Sequence, residues 1–515
     1  MPDAPTRWLF SGQLGPLFSD DHEADEHDSG DHGDEHDSGD RPILLIEARS
    51  LIAGRPIHRA KAHLQLSAIR HRARELGDRV DYHRVADYGE ALEATGGMRG
   101  RSDLEVIDPT SYAARRFVRE AGCRILPSRG FVTSEEDFRA WADARGGSRL
   151  LLEDFYRATR ERTGLLMEGD QPVGGHWNYD HDNRAAPPKG AVTLGLPDPW
   201  WPTEDDIDDE VRHDLDAWQR DGLVTLVGAD SPRRFAVTTD EAQHALDDFV
   251  ESRLGDFGPF EDATLTGDWT MAHSLLSAPL NLGLLDPREV VQRVAAEHAA
   301  GNAPLNSVEG FVRQVAGWRD YVWHLYWYLG EGYAVSHNAL HATESLPAAF
   351  WQLRPDEIEE NCLHHVVDAV REHGWAHHIQ RLMVLGNWAL QRGYDPVELN
   401  SWFIDMFVDG TPWVMPANVV GMSQHADGGI VATKPYASGG AYIDRMTDYC
   451  GSCRFSPKKR LGPDACPFTA GYWAFLDRTE PLLAANHRMA QPLAGLRRLA
   501  DREQVVAQER ERDPL

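Results

Sequence analysis

The chain has 515 residues, 42% of them hydrophobic, a formal net charge of −30 and five cysteines. That length predicts two or three domains with sizeable cores, and nothing in the composition points to an oxidising compartment. The opening stretch MPDAPTRWLFSGQLG has no basic leader and no long apolar run. Neither a signal peptide nor a membrane span is therefore expected, and the chain reads as soluble and cytoplasmic. An acid excess of this size argues against a globally basic nucleic-acid binder. Chains adapted to high internal salt carry such surfaces for hydration, however, so a halophilic chain can still hold a basic local site.

From residue 1 to 145, short apolar runs alternate with helical ones. Residues 8–10, 43–46, 80–85, 104–107 and 124–126 read as strands, with a helix between the second and third carrying Leu66, Ile69, Ala73 and Leu76 at spacings of three and four. This alternation predicts an α/β domain built on a doubly wound parallel sheet. The first strand runs into SGQLG, not GxGxxG, so a nicotinamide fingerprint is absent. Residues 20–40 form an acidic insert with four histidines and the repeat EHDSGD, too polar to offset its own ordering by burial, and are expected to be disordered. Thr133-Ser134-Glu135-Glu136 predicts a capping box opening the helix that leaves this domain. A linker is expected over 146–235, rich in Pro and Gly from about 170 to 205. From 236 to 515 strand signals give way to helical spacing, in segments such as 240–253, 287–300, 307–329, 362–372 and 376–392, so a large all-helical domain follows.

Cys450, Cys453 and Cys466 fall within DYCGSCRFSPKKRLGPDACPF at 448–468. Two thiolates at C-x2-C spacing can hold one metal from a single turn, and a cysteine before proline is a frequent fourth arm of iron–sulfur sites. Cys362 completes a set of four. Spacing alone leaves a zinc knuckle and an iron–sulfur cluster as alternatives. Cys123 reads as a buried residue at a strand start. The stretch from Lys434 to Arg460 runs against the acidic trend with Lys434, Arg445, Arg454, Lys458, Lys459 and Arg460. It is either a phosphate-contacting face or a solvated turn around the metal loop.

Several long blocks carry a family resemblance: FYRATRERTGLLMEGDQPVGGHWNYDHDNR (155–184), HSLLSAPLNLG (273–283), APLNSVEGFVRQVAGWRDYVWHLYW (303–327), AHHIQRLMVLGNW (376–388) and PANVVGMSQHADGGIVATKPYASGGAYIDRMTDYC (416–450). Outside the acidic insert, the chain resembles the photolyase/cryptochrome superfamily throughout. Within it, it is similar to the iron–sulfur bacterial cryptochromes and prokaryotic (6-4) photolyases, also called deoxyribodipyrimidine photolyase-related proteins.

The resemblance implies FAD, and a [4Fe-4S] cluster on Cys362, Cys450, Cys453 and Cys466. It places His273, Ser274, Leu275, Leu276 and Ser277 around the flavin pyrophosphate, where helix-start amides suit an anion. Trp318 and Arg319, followed by Asp320 and Tyr321, correspond to a motif lining the flavin cavity, with Arg313 one to two turns earlier. Arg381 and Asp409 correspond to a buried pair beside the isoalloxazine, and either Met415 or Asn418 faces the flavin N5 region. Thr411 stands in place of a frequent Tyr. His377 and His378 occupy the helix that faces the lesion in (6-4) photolyases, where an acid able to donate a proton near neutral pH is needed. Trp402 and Trp351 match the path that carries electrons to the flavin, with Phe403 where relatives often have Tyr. A 6,7-dimethyl-8-ribityllumazine antenna would lie near Gln13, Glu47 and the His58, Arg59 and Lys61 cluster, although Gly12 stands where relatives show Asp.

The expectation is thus a monomeric, light-dependent enzyme acting on UV-damaged DNA and needing no membrane. It would split (6-4) pyrimidine–pyrimidone photoproducts flipped from the duplex. A cryptochrome-like blue-light photoreceptor, signalling through flavin redox state without repair, is the alternative.

Overall fold

The computed structural model describes residues 5–19, 41–146 and 149–512; the acidic insert lies outside the described residues. Five strands form one parallel sheet: β1 (Thr6–Leu9), β2 (Ile43–Ala48), β3 (Val80–Val85), β4 (Leu104–Ile107) and β5 (Arg124–Leu126). Their spatial order is β3-β2-β1-β4-β5. All six residues of β2 are buried, as a strand covered on both faces requires. The order reverses between β1 and β4, which opens a crevice at their carboxyl ends.

The helical part of the chain closes onto that crevice. Leu14 donates its main-chain N–H to Leu282 O at 3.0 Å. A Cβ on Gly15 would sit 2.1 Å from Gly283 O, so only glycine permits this approach. The largest core crosses the boundary, joining Leu9, Leu45 and Ile107 of the sheet to Leu276, Leu280, Leu284 and Val308.

The helix Arg59–Leu76 begins at His58, whose ring accepts the Ala60 N–H. The capping box falls one residue beyond its expected place. Ser134 caps the helix Glu135–Ala144 and Asp137 answers it, while Thr133 donates its hydroxyl to Asp320 at 2.9 Å. Segment 146–235 is itself folded in part. It contains the helices Leu152–Thr163 and Asp206–Arg220, and a short strand Thr225–Val227 that pairs with Pro56–His58. Beyond it the described residues are helical, with isolated bridges as their only β pairing. Among the described residues, no helix is long and apolar enough to cross a membrane. Three segments, Arg313–Arg319, Gln380–Gly386 and Ala417–Ser423, widen into π-helical turns, and all three fall in the blocks that carry the family resemblance. Such turns often mark functional sites.

Candidate active site and metal centre

Three elements bring the four cysteines together. Cys362 lies in the first turn of the helix Asn361–His373, Cys450 in the turn Tyr449–Gly451, and Cys466 at the start of the helix Pro467–Leu483. With Cys453 they line one cavity closed by Ile443, Tyr449, Phe455 and Phe468, and none is in a disulfide. Burial, then the neighbouring thiols, pushes Cys362 far above its ordinary value and Cys450 up to about 12. Four crowded thiols in an apolar wall cannot all ionise without a cation among them. The backbone leaves room for one: a Cβ on Gly440 would lie 2.7 Å from Cys466 Sγ. The donor set fits a thiolate-bound metal centre, whether zinc or an iron–sulfur cluster.

A second constellation surrounds Asp409. Arg381 holds its carboxylate with two hydrogen bonds of 2.8 and 3.0 Å, Ser277 donates to it at 2.7 Å, and Asn281 donates to its carbonyl at 3.1 Å. The Arg381 guanidinium also lies over the Phe407 ring at 4.3 Å. Ahead of Ser277, Leu275 adopts a left-handed backbone with φ of 58°, a costly conformation for a non-glycine residue. Ser274 and Leu275 line a cavity with Arg234 and Arg253, which present buried nitrogens that have no hydrogen-bond partner among the described residues. Arg313 likewise keeps two buried nitrogens without hydrogen bonds, although Glu309 lies 3.3 Å away. Guanidinium nitrogens left over after Arg253 pairs with Asp248 and Arg313 with Glu309, together with the strained backbone at Leu275, suit a bound anionic group such as a dinucleotide. Leu276 is buried in the main core.

Arg319 and Asp320 make their bonds in another direction. Arg319 donates to Gly130 O at 2.8 Å and Leu280 O at 3.2 Å, and burial lowers its pKa to about 10. Asp320 takes the N–H groups of Val132 and Thr133. The pair clamps the α/β domain to the helical one. Trp318 stands edge-on to Tyr321, Met415 is buried in the core that holds Trp402 and Phe403, and Asn418 donates to Val414 O at 2.8 Å.

Beside Arg381, three histidines meet: His273, His377 and His378 offer ring nitrogens within 4.8 Å of one another. His377 is buried, and its Nδ1 accepts the Ile379 N–H at 3.1 Å. In the neutral ring the proton must then sit on Nε2, which has no partner among the described residues. Burial holds His377 well below its ordinary pKa and lowers His273 to about 3. His378 faces outward with Nε2 at 3.4 Å from Asp262. With its Nδ1 lone pair engaged, His377 is a poor metal ligand and a good hydrogen-bond donor. Asp262, and His273 as a neighbour of both other histidines, carry no signal in the sequence because they come from a different segment.

Trp402 is fully buried and donates to Phe350 O at 3.0 Å; Trp351, half-buried, donates to Glu398 at 3.0 Å. Phe403 stacks on Phe407, and Thr411 Oγ1 is buried without a hydrogen-bond partner among the described residues. Gln13 donates to Ile107 O at the crevice, whereas Glu47 is held by Arg70 and Tyr82. His58 accepts from its own helix through Nδ1 and sets Nε2 3.2 Å from Arg371 O, Arg59 pairs with Asp216, and Lys61 donates to Ile404 O and Gly410 O. These three staple the α/β domain to the rest. Cys123 is half-buried just before β5. In the basic stretch, Arg454 pairs with Glu359, Lys459 with Asp464 and Arg460 with Asp501.

Residues 27–223 match the family described as deoxyribodipyrimidine photo-lyase-related protein. The chain is 41% identical over 459 residues to a (6-4) photolyase of Agrobacterium fabrum, covering 86% of this chain and 88% of that one. Its fold resembles that of a bacterial class III photolyase from Agrobacterium tumefaciens, with a TM-score of 0.56 at 16% identity, covering 94% of this chain and 99% of the other. It also resembles a Synechocystis cryptochrome, with a TM-score of 0.52 at 12% identity, covering 87% and 89% of the two chains. At those identities the structural likenesses speak for fold alone. Identity sustained over nearly the whole of both sequences says more, and by it this chain belongs to the (6-4) photolyase family of photolyase-related proteins.

Proposed function

We propose that the chain repairs (6-4) pyrimidine–pyrimidone photoproducts in UV-damaged DNA under light, as a cytoplasmic monomer. The observation that carries this reading is the histidine cluster beside the Arg381–Asp409 pair, with one imidazole facing outward and two held neutral behind it, His273 half-buried and His377 buried. The family implies FAD, and the unsatisfied nitrogens of Arg234, Arg253 and Arg313 with the strained Leu275 fit its anionic part. Bound and reduced, FAD supplies the photoexcited electron for bond cleavage.

The protein's own residues do the rest. Arg381 and Asp409 fix one wall of the cavity. His378 donates a proton to the lesion, and Asp262 orients its ring and holds the proton in place. His377 keeps the second imidazole neutral, with its N–H turned into the cluster. Trp402 and Trp351 conduct electrons when the flavin must be reduced. Cys362, Cys450, Cys453 and Cys466 hold a [4Fe-4S] cluster that fastens the 448–468 loop to the helix Asn361–His373. A ribityllumazine antenna belongs, on this reading, in the crevice near Gln13; no step of repair depends on it.

The deciding experiment is photorepair of a defined (6-4) oligonucleotide by pre-reduced protein, scored per absorbed photon. Repair is the expected outcome. No repair with intact flavin redox changes would point to a photoreceptor. Stoichiometric zinc without iron after anaerobic purification would overturn the cluster assignment.

A further inference from the structure

The two tryptophans of the electron path give their indole protons to different partners. Trp402 Nε1–H goes to a main-chain carbonyl, Phe350 O, and the ring is fully buried. Trp351 Nε1–H goes to a carboxylate, Glu398 Oε1, at 3.0 Å. The other oxygen of Glu398 accepts the Leu346 N–H at 2.9 Å, so each carboxylate oxygen is held by one donor. Glu398 lies in the first turn of the helix Pro396–Met406, where the helix dipole favours an ionised acid. No cation is paired with it among the described residues. To a neutral indole a carboxylate offers a stronger hydrogen bond than a carbonyl does, but the proton stays on nitrogen. An oxidised indole is another matter: its N–H becomes strongly acidic, and a base in hydrogen-bond contact decides where the proton goes.

We propose that Glu398 is the proton acceptor that traps the oxidising equivalent on Trp351. The proposal rests on the reading of Trp402 and Trp351 as the electron path. Trp351 gives up one electron, by way of Trp402, to the photoexcited oxidised flavin. The Nε1–H bond of the Trp351 radical cation then breaks, its electron pair stays on nitrogen, and the proton forms an O–H bond on Glu398. A neutral indole radical and a protonated carboxyl remain, so charge and electrons balance. Electron return to a neutral radical requires the proton to come back with it, which slows recombination. Trp402 has no base on its N–H and serves only as a relay. Because Trp351 and Glu398 are both half-buried, an external thiol can later supply the missing electron while Glu398 returns the proton.

Transient absorption of the flavin-loaded protein distinguishes neutral from cationic tryptophan radicals. Wild type should show a neutral radical that is absent in Trp351→Phe. Glu398→Gln keeps an acceptor oxygen but is no base. It should hold the radical as a cation that recombines faster by roughly tenfold or more, the factor carried by each pKa unit of lost driving force. Glu398→Asp should restore the neutral radical. Circular dichroism and Tm confirm that each variant is folded. A neutral radical of unchanged lifetime in Glu398→Gln overturns the proposal and leaves the electron path standing. A wild type in which no radical depends on Trp351 overturns the path, and the proposal with it.

Discussion

The side chain of His378 is 45% exposed and meets a single carboxylate, whereas His377 is 1% exposed and its Nδ1 is committed to the backbone. A change at His378 therefore costs the fold little. His378→Asn should keep the flavin spectrum and lesion binding while repair falls by at least the roughly 10²–10⁴-fold usual for a general acid. Full repair per photon in a folded variant would remove His378 from the mechanism. The buried histidines make a different prediction. Burial lowers His58 to about 4, and His273 and His324 to about 3. Above pH ~6.5 each ring is neutral both folded and unfolded and contributes nothing. Below it the unfolded chain takes up protons that the native state refuses, so stability falls as pH drops from about 6.5 towards 4. The ceiling is about 1.4 kcal/mol per histidine per pH unit. Asp320, raised to about 6 by burial, works the other way, adding stability as pH falls from about 6 towards 3.8. Urea unfolding at pH 7 and pH 5 should show the histidines prevailing; equal stability at the two would show that they are not buried neutral. The sequence supplies the histidine pair, but nothing in adjacent letters tells which ring is enclosed, because the enclosing residues arrive from 261–273.

Among the elements, the central strands were the most legible, since Ile43–Ala48 and Leu104–Ile107 are short, mostly apolar runs buried on both faces, whereas the flanking Val80–Val85 and Arg124–Leu126 are only partly buried. The caps were less so. Thr133 and Ser134 are both competent N-caps with an acid three residues on, and the tertiary contact decided between them by drawing Thr133 to Asp320. The π-helical turns were invisible, because one extra residue in a turn leaves the apolar spacing almost unchanged. Thr133 now has a testable role. Thr133→Val keeps the shape and deletes the hydroxyl that bonds both Asp320 and His324. That leaves buried polar atoms short of partners, at a cost of about 1–3 kcal/mol. Chemical denaturation should report that loss with the helix Glu135–Ala144 still formed, since Ser134 caps it. Unchanged stability would mean that the clamp between the domains does not depend on this contact.

At the scale of the whole molecule, a net charge of −30 and a polyanionic substrate pose a conflict that the surface must resolve locally. The basic stretch from Lys434 to Arg460 looked like the answer in the sequence, where charges can be counted but not their partners. In the fold, Arg454, Lys459 and Arg460 are each matched to an acid, while Lys434, Arg445 and Lys458 are exposed with no ion pair among the described residues. A cation already neutralised by a neighbour displaces few counterions from DNA. Changing Lys458, Lys459 and Arg460 together to Ala should therefore lower the slope of log K against log salt by about one contact, not three. The remaining acids act in the opposite sense. At low ionic strength their field reaches about 10 Å or more and repels the duplex, and added salt screens it. Binding should then lose less affinity with salt than the number of phosphate contacts implies, with the shallowest dependence at the low-salt end. Titrations of a lesion duplex across a salt series, for wild type and the triple variant, separate the two effects. A drop near three would show that the Asp464 and Asp501 pairs open on binding and release their cations to phosphate. A wild-type slope as steep as its contact count would show that the acidic surface lies too far from the bound duplex to be felt.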